Sequence, residues 1–159
     1  MLRRLQCSDM MVGMGVDVRP QLLVRRTRLD VAAYMFDPQH DLEWTGGITS
    51  SRTVTSGPVG EGTTVERSAR FLGRRFTYRY VITDYDPGQR MEMRVDRPFP
   101  MTIRYELEDA PGGTLATIHA TGSPGRFFGW LTPLMARQVR SSIAADLARL
   151  RDRLEESAA

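Results

Sequence analysis

Lysine and asparagine are absent from this 159-residue chain, and cysteine occurs once, as Cys7. A single cysteine closes no internal disulfide, which excludes a small secreted scaffold held together by bridges. Histidine is nearly absent as well, with only His40 and His119. No Cys/His pair has metal-ligand spacing, so a metal site lacks its donors. The same scarcity argues against a Ser-His-Asp or Cys-His nucleophile. Both histidines read as solvated: His119 falls between the apolar positions Ile118 and Ala120 and should face outward, and His40 sits in a polar turn. No apolar run approaches the ~20 residues that a membrane-spanning helix needs. The glycine-rich Gly57 to Gly62 is followed by no Lys-Ser/Thr, so it is a turn and not a phosphate loop.

What is present is ordinary for a globular domain: 41% hydrophobic and 26% charged residues, with 14 Gly and 9 Pro. At this length one domain is expected, burying roughly 70% of the surface the unfolded chain exposes. The 22 basic residues are all arginine and face 19 acidic ones, a net charge of only +3. The basic pI, near 9.5, therefore reflects arginine's high pKa more than an excess of cations. An arginine-only basic set beside abundant Ala and Gly is what a GC-rich genome produces. The arginines alternate with Asp and Glu instead of lining one stripe between aromatics, so no nucleic-acid partner is expected. Residues 1–15 carry Arg3, Arg4, Cys7 and Met10, Met11 and Met14 but no continuous apolar segment of a secretory signal. They read as a disordered leader to a single cytoplasmic domain over residues 16–159.

Periodicity organises the rest. Gln21 to Thr27 is a short β-prone run, and Asp30 is placed to cap a helix from Val31 to Phe36. Asp37-Pro38 ends that helix, His40 to Trp44 makes a turn or second short helix, and Gly46-Gly47 breaks it. Strand-like alternation then fills Ile48 to Thr55, Thr63 to Leu72, Arg75 to Tyr85, Arg90 to Asp96, Met101 to Glu108 and Thr114 to Gly122. The loops between them are mostly hairpin-length, so about seven antiparallel strands are expected. Alternation puts Phe76, Tyr78, Tyr80 and Ile82 on one face, with Met91, Met93 and Val95, then Met101, Ile103, Tyr105 and Leu107. The cover for this apolar face is a helix opening at Thr132-Pro133, whose Met135, Val139, Ile143, Leu147, Leu150 and Leu154 recur at spacings of four and three. The expected class is α+β: a curved antiparallel sheet wrapped around a long C-terminal helix, with two short helices after the first strand.

This order resembles the START-like (helix-grip, SRPBCC) superfamily, in its polyketide cyclase/dehydrase and lipid-transport branch common in actinobacteria. The matching stretches are Val31 to Pro38 with Trp44, Gly57 to Thr63, Thr83 to Gly88, Tyr105 to Leu107 and Leu147 to Leu150. The resemblance spans about residues 20 to 155. It implies a cavity between sheet and helix, and a family of hydrophobic-ligand carriers with a minority of cyclases. It supplies no catalytic signature.

The expected ligand-binding surface is therefore aromatic and thioether: Phe71, Phe76, Tyr78, Tyr80, Met91, Met93, Met101 and Tyr105 from the sheet, Met135 and Val139 from the helix. Phe128 and Trp130, in the glycine-flanked stretch Gly122 to Leu131, read either as a plug on the sheet or as a lid with membrane contact. Arg67 stands by alternation among Val65, Ala69 and Phe71, on the apolar face. A buried guanidinium requires a carboxylate partner or an anionic ligand. Asp146, beside the helix stripe, is the partner expected from sequence; the alternative is that Arg67 anchors a ligand's carboxylate or carbonyl. The resulting expectation is non-catalytic binding or transport of a small lipid, polyketide-like or isoprenoid molecule, with no catalytic residue, metal or cofactor, by a monomer or weak homodimer. The alternatives are a polyketide-type cyclase or dehydratase in which Tyr78, Tyr80 or Arg67 polarises a carbonyl, and an accessory protein docking through an arginine-rich face.

Overall fold

The computed structural model of the protein describes residues 15–71, 73–123 and 132–158. Nearly all of the expected leader, together with Phe128 and Trp130, lies outside the described residues. The chain begins with β1 (Val16–Val18) and β2 (Gln21–Val24), followed by α1 (Arg28–Met35), a single 3₁₀ turn at Pro38–His40, and α2 (Asp41–Trp44). Six strands come next: β3 (Ile48–Thr53), β4 (Thr64–Phe71), β5 (Arg74–Asp86), β6 (Arg90–Val95), β7 (Met101–Ala110) and β8 (Gly113–Gly122), before the long α3 (Thr132–Glu156). The strands form one curved antiparallel sheet in the order β1-β8-β7-β6-β5-β4-β3, with β2 also paired to β8. This is the helix-grip arrangement expected from sequence. Among the described residues, no helix is long and apolar enough to cross a membrane.

Eight strands appear where seven were expected because a short β1 precedes the strand expected from Gln21, separated from it by Arg19-Pro20. Proline has no N–H to give a ladder and is tolerated on an edge strand. Pro20 still accepts the Ile118 N–H at 3.0 Å through its carbonyl, so both pieces stay on β8. The first helix also begins three residues earlier than Asp30 suggested. Thr27, in extended conformation, is the cap, and its hydroxyl accepts the Asp30 N–H at 3.2 Å. Asp30 thus sits inside the first turn, where its charge still complements the helix dipole.

Between β5 and β6 the turn Asp86-Pro87-Gly88-Gln89 is closed by the Gln89 N–H on the Asp86 carbonyl, 3.0 Å. Gly88 has φ 83°, a left-handed conformation that glycine adopts without strain. Within β5 the register slips between Ile82 and Asp84, leaving Thr83 as an extra residue. Upstream of it the even-numbered Tyr80 and Ile82 point inward; downstream the odd-numbered Tyr85 does, packing its ring 6.1 Å from that of Phe36.

The outer face of the sheet carries arginines already matched by carboxylates. Glu66 binds Arg52 and Arg79 at 3.0 and 2.9 Å, Asp84 binds Arg90 at 2.6 Å, and Glu92 binds Arg104. Exposed pairs of this kind contribute little stability each.

Helix α3 is attached unevenly. Leu147, Leu150 and Leu154 are buried against the sheet and α1–α2 core, whereas Met135, Val139 and Ile143 are only half-buried. Leu150→Ala is expected to cost about 2–5 kcal/mol, as for a fully buried leucine, and Val139→Ala well under half of that loss. Urea denaturation of the two variants checks the gradient; equal losses would show that the helix is anchored along its whole length.

Candidate functional site

The half-buried part of α3 spans a cavity of about 620 Å³, with the sheet as floor and α3 as roof. Val95, Met101, Ile103, Ile118 and Ala120 line the floor, and Met135, Val139 and Ile143 the roof. The cavity is open rather than enclosed: exposed Arg70 and Pro98 and half-buried Phe71 and Phe76 form part of its wall and mark the rim.

One corner is polar. Arg67 projects inward from β4 between the buried Val65 and Ala69, and is itself only 4% exposed. Its Nε and Nη2 donate to Asp41 Oδ2 and Oδ1, each at 2.7 Å, a bidentate geometry suited to a guanidinium and a carboxylate. Asp41 opens α2 and is 1% exposed; it also accepts the Ser51 hydroxyl of β3 at 2.5 Å. The guanidinium lies over the Tyr80 ring, 4.5 Å from its centroid. Burial works against the Arg67 charge, yet Tyr80, Asp41, Tyr105 and Tyr78 around it more than offset this and hold its pKa well above the ordinary value. Burial likewise pushes the Tyr80 and Tyr105 phenols up, Tyr105 also being in hydrogen-bond contact with Arg67. Both remain protonated donors at neutral pH.

A second polar set closes the same corner from the helix. Asp146 Oδ1 accepts the Gly46 N–H at 2.9 Å and pairs with Arg149, whose Nε donates to the Trp44 carbonyl at 2.9 Å. A Cβ at Gly46 would push the Arg149 guanidinium aside, so glycine is what lets the two approach this closely. Burial pushes the Asp146 carboxyl up, against the lowering effect of the Gly46 N–H and Arg149. Trp44, 1% exposed, packs edge-on against Tyr105 at 5.8 Å. Its indole Nε1 is buried without a partner, as is the Tyr80 hydroxyl.

Of the residues singled out from sequence, Arg67, Phe71, Phe76, Tyr78, Met101, Tyr105, Met135 and Val139 line this cavity. Tyr80, Met91 and Met93 do not: each is at most 1% exposed and packs into the solid core on the side of α1 and α2. Alternation assigns the face of a strand but not the depth along it. The Arg67 partner is Asp41 and not Asp146, because α2 packs on β3, the neighbour of β4, whereas Asp146 is taken by Gly46 and Arg149. The histidines are half-buried, not free in solvent. His40 stacks on Tyr34 at 4.3 Å with its Nδ1 3.0 Å from Glu43 Oε1, and His119 Nε2 lies 2.8 Å from Asp17 Oδ1. Asp41, Trp44 and Arg149 were missed. The one signal available was Arg67 itself, whose inward position demanded a carboxylate without saying which.

With this geometry in hand, the chain can be set beside known proteins. The family model for polyketide cyclase / dehydrase and lipid transport matches residues 18–155, and the chain belongs to that family. A comparison with curated proteins finds no match. Among solved structures, a protein from Thermus thermophilus superposes with a TM-score of 0.78 at 16% identity, over 90% of this chain and 99% of that one. A START superfamily protein from Mycobacterium smegmatis gives 0.73 at 12% identity, over 88% and 97%. The Zhui aromatase/cyclase from Streptomyces sp. R1128 gives 0.73 at 16%, over 91% and 96%. At these identities the likeness is one of fold.

Two expected outcomes follow from the polar corner. Arg67→Met strands the buried Asp41 carboxylate and should cost about 3–5 kcal/mol, most of it recovered when Asp41→Leu is added. Urea denaturation of the double-mutant cycle measures this; a double variant as unstable as the single would mean the pair is not the source of the loss. For Asp146, the folded chain holds the proton to higher pH than the unfolded chain does. Its contribution is then complete below the unfolded pKa and lost as pH rises through the folded one. Asp146→Asn removes this loss, so stability of the variant should rise more steeply than that of the parent as pH climbs from the ordinary carboxyl range toward neutral. Urea midpoints across that range check the sign.

Proposed function

We propose that this chain binds a small hydrophobic molecule in the cavity between sheet and α3, and carries it without chemical change. The observation that supports this most is the cavity itself: about 620 Å³, walled by Met101, Ile103, Met135, Val139 and Ile143, with its one deep charge paired to Asp41. Ligand pockets of this kind are mostly apolar, hold a few placed polar groups, and fall in the range of roughly 300–1,000 Å³. The family description covers lipid transport as well as cyclases. A lipid, polyketide-like or isoprenoid molecule fits the wall chemistry. Efficient acid–base catalysis favours a group that titrates near the working pH. Neither histidine is on the cavity wall, Arg67 is held charged, and the Tyr105 phenol is pushed up.

A second reading has one observation in its favour. Asp146 is a wall carboxyl with a raised pKa, near Arg67 and Tyr105, which are suited to polarise a carbonyl. The Zhui neighbour is named an aromatase/cyclase. On this reading the chain is a polyketide-type cyclase or dehydratase.

Native mass spectrometry of the protein purified from its own host separates the two. A carrier should retain a bound apolar molecule that is recovered unchanged after prolonged incubation; conversion to a dehydrated or cyclised product would establish the enzyme. Val139→Trp, which fills the roof, should weaken binding of the fluorescent probe N-phenyl-1-naphthylamine by about tenfold or more, with the urea midpoint close to that of the parent. Unaltered probe binding in that variant would place the ligand elsewhere.

A further inference from the structure

We infer that Asp41, although it does not line the cavity, sets the charge preference of the ligand: the polar corner takes a neutral acceptor oxygen, such as a ketone, ester or quinone carbonyl, and disfavours a carboxylate. The inference rests on the cavity being a ligand site, as proposed above, and names the class of head group it receives.

The donors come first. Asp41 occupies Nε and Nη2 of Arg67, Tyr105 is in hydrogen-bond contact with the same guanidinium, and both side chains form part of the wall. Trp44 packs on Tyr105 beside them, with its indole N–H buried beneath the surface. An acceptor oxygen delivered by a ligand meets guanidinium and phenol donors here, and a group that offers no acceptor leaves them unmatched. The corner therefore calls for an acceptor.

The charge decides which acceptor. The guanidinium that would balance an anion is already balanced by a carboxylate 2.7 Å away. The other wall carboxylate, Asp146, has Arg149 against it. Arg70 also lies on the wall, but exposed at the rim, where water and salt screen it. An anionic head group entering the corner would give up its hydration, meet no uncompensated cation, and lie near the Asp41 charge. A carbonyl gives up far less hydration and keeps the hydrogen bonds. A lone buried arginine would select acids; this paired one selects neutral acceptors.

The test uses three naphthalenes of matched size, titrated into the full chain by calorimetry at neutral pH: 2-acetylnaphthalene, 2-naphthoate and 2-ethylnaphthalene. The ketone should bind about tenfold more tightly than the carboxylate and several-fold more tightly than the hydrocarbon. Asp41→Asn, which leaves the Arg67 charge unbalanced, should shift the preference toward 2-naphthoate. Should that variant fail to fold, Tyr105→Phe and the parent ratios still decide: Tyr105→Phe should weaken the ketone several-fold and leave the hydrocarbon unchanged. Carboxylate binding as tight as ketone binding in the parent, or no advantage of ketone over hydrocarbon, overturns the inference and leaves the ligand site standing. No binding of any of the three overturns both.

Discussion

The buried ion pair between Arg67 and Asp41 is the contact on which the site depends. It joins a residue in the middle of β4 to the first residue of a helix only one turn long, and neither element could hold the other by apolar burial alone. The Ser51 hydroxyl adds β3 to the same carboxylate. With Asp41 held, α2 presents Trp44 to the cavity, and the Trp44–Gly46 backbone meets Asp146 and Arg149 coming from α3. Two polar contacts made from opposite sides of the molecule therefore converge on one short helix. Such pairs are expensive to desolvate and are weak evidence of stability in themselves. Their effect here is positional, since they determine where an indole, a phenol and a guanidinium meet.

The rest of the wall follows from what surrounds that corner. On the side of α1 and α2 the sheet is filled by Met35, Phe36, Tyr80, Met91 and Met93, so the space closes. Toward the N-terminal end of α3 the packing is thinner, with Ala136, Val139 and Ile143 resting on the small cluster of Val16, Val18 and Ala120. A cavity remains where the sheet curves away, with apolar walls and one hydrogen-bonding end, the arrangement that supports a ligand with an oily body and a polar tip.

Much of this was legible in the sequence because period-two and period-3.6 patterns report faces directly. The inward set on β5 to β8, the stripe along α3 and the inward position of Arg67 all follow from counting. Three things did not. Tyr78 and Tyr80 have the same parity, yet one lines the cavity and the other is core, because depth along a strand depends on what is packed above it. Asp41 and Arg67 are 26 positions apart, and nothing local distinguishes Asp41 from the other carboxylates. Thr83 changes the parity of β5 and turns Tyr85 inward, a slip visible only through its pairing with β6. Each of these three concerns how elements meet; the one strand not expected is the three-residue β1.

The uneven burial of α3 has a mechanical meaning. A rod clamped by Leu147, Leu150 and Leu154 and resting lightly through Met135, Val139 and Ile143 is a lever with its fulcrum near the clamp. Raising its light end opens only the smaller cluster it makes with Val16, Val18 and Ala120, whereas the floor below is locked by ladder hydrogen bonds along every strand. The ceiling is thus compliant and the floor stiff. For a ligand bound as proposed, thickness of the tail would be judged leniently, at the end where the lever lifts. The identity of its head would be judged strictly, beside the clamp, where the buried Arg67 and Tyr105 have no room to adjust.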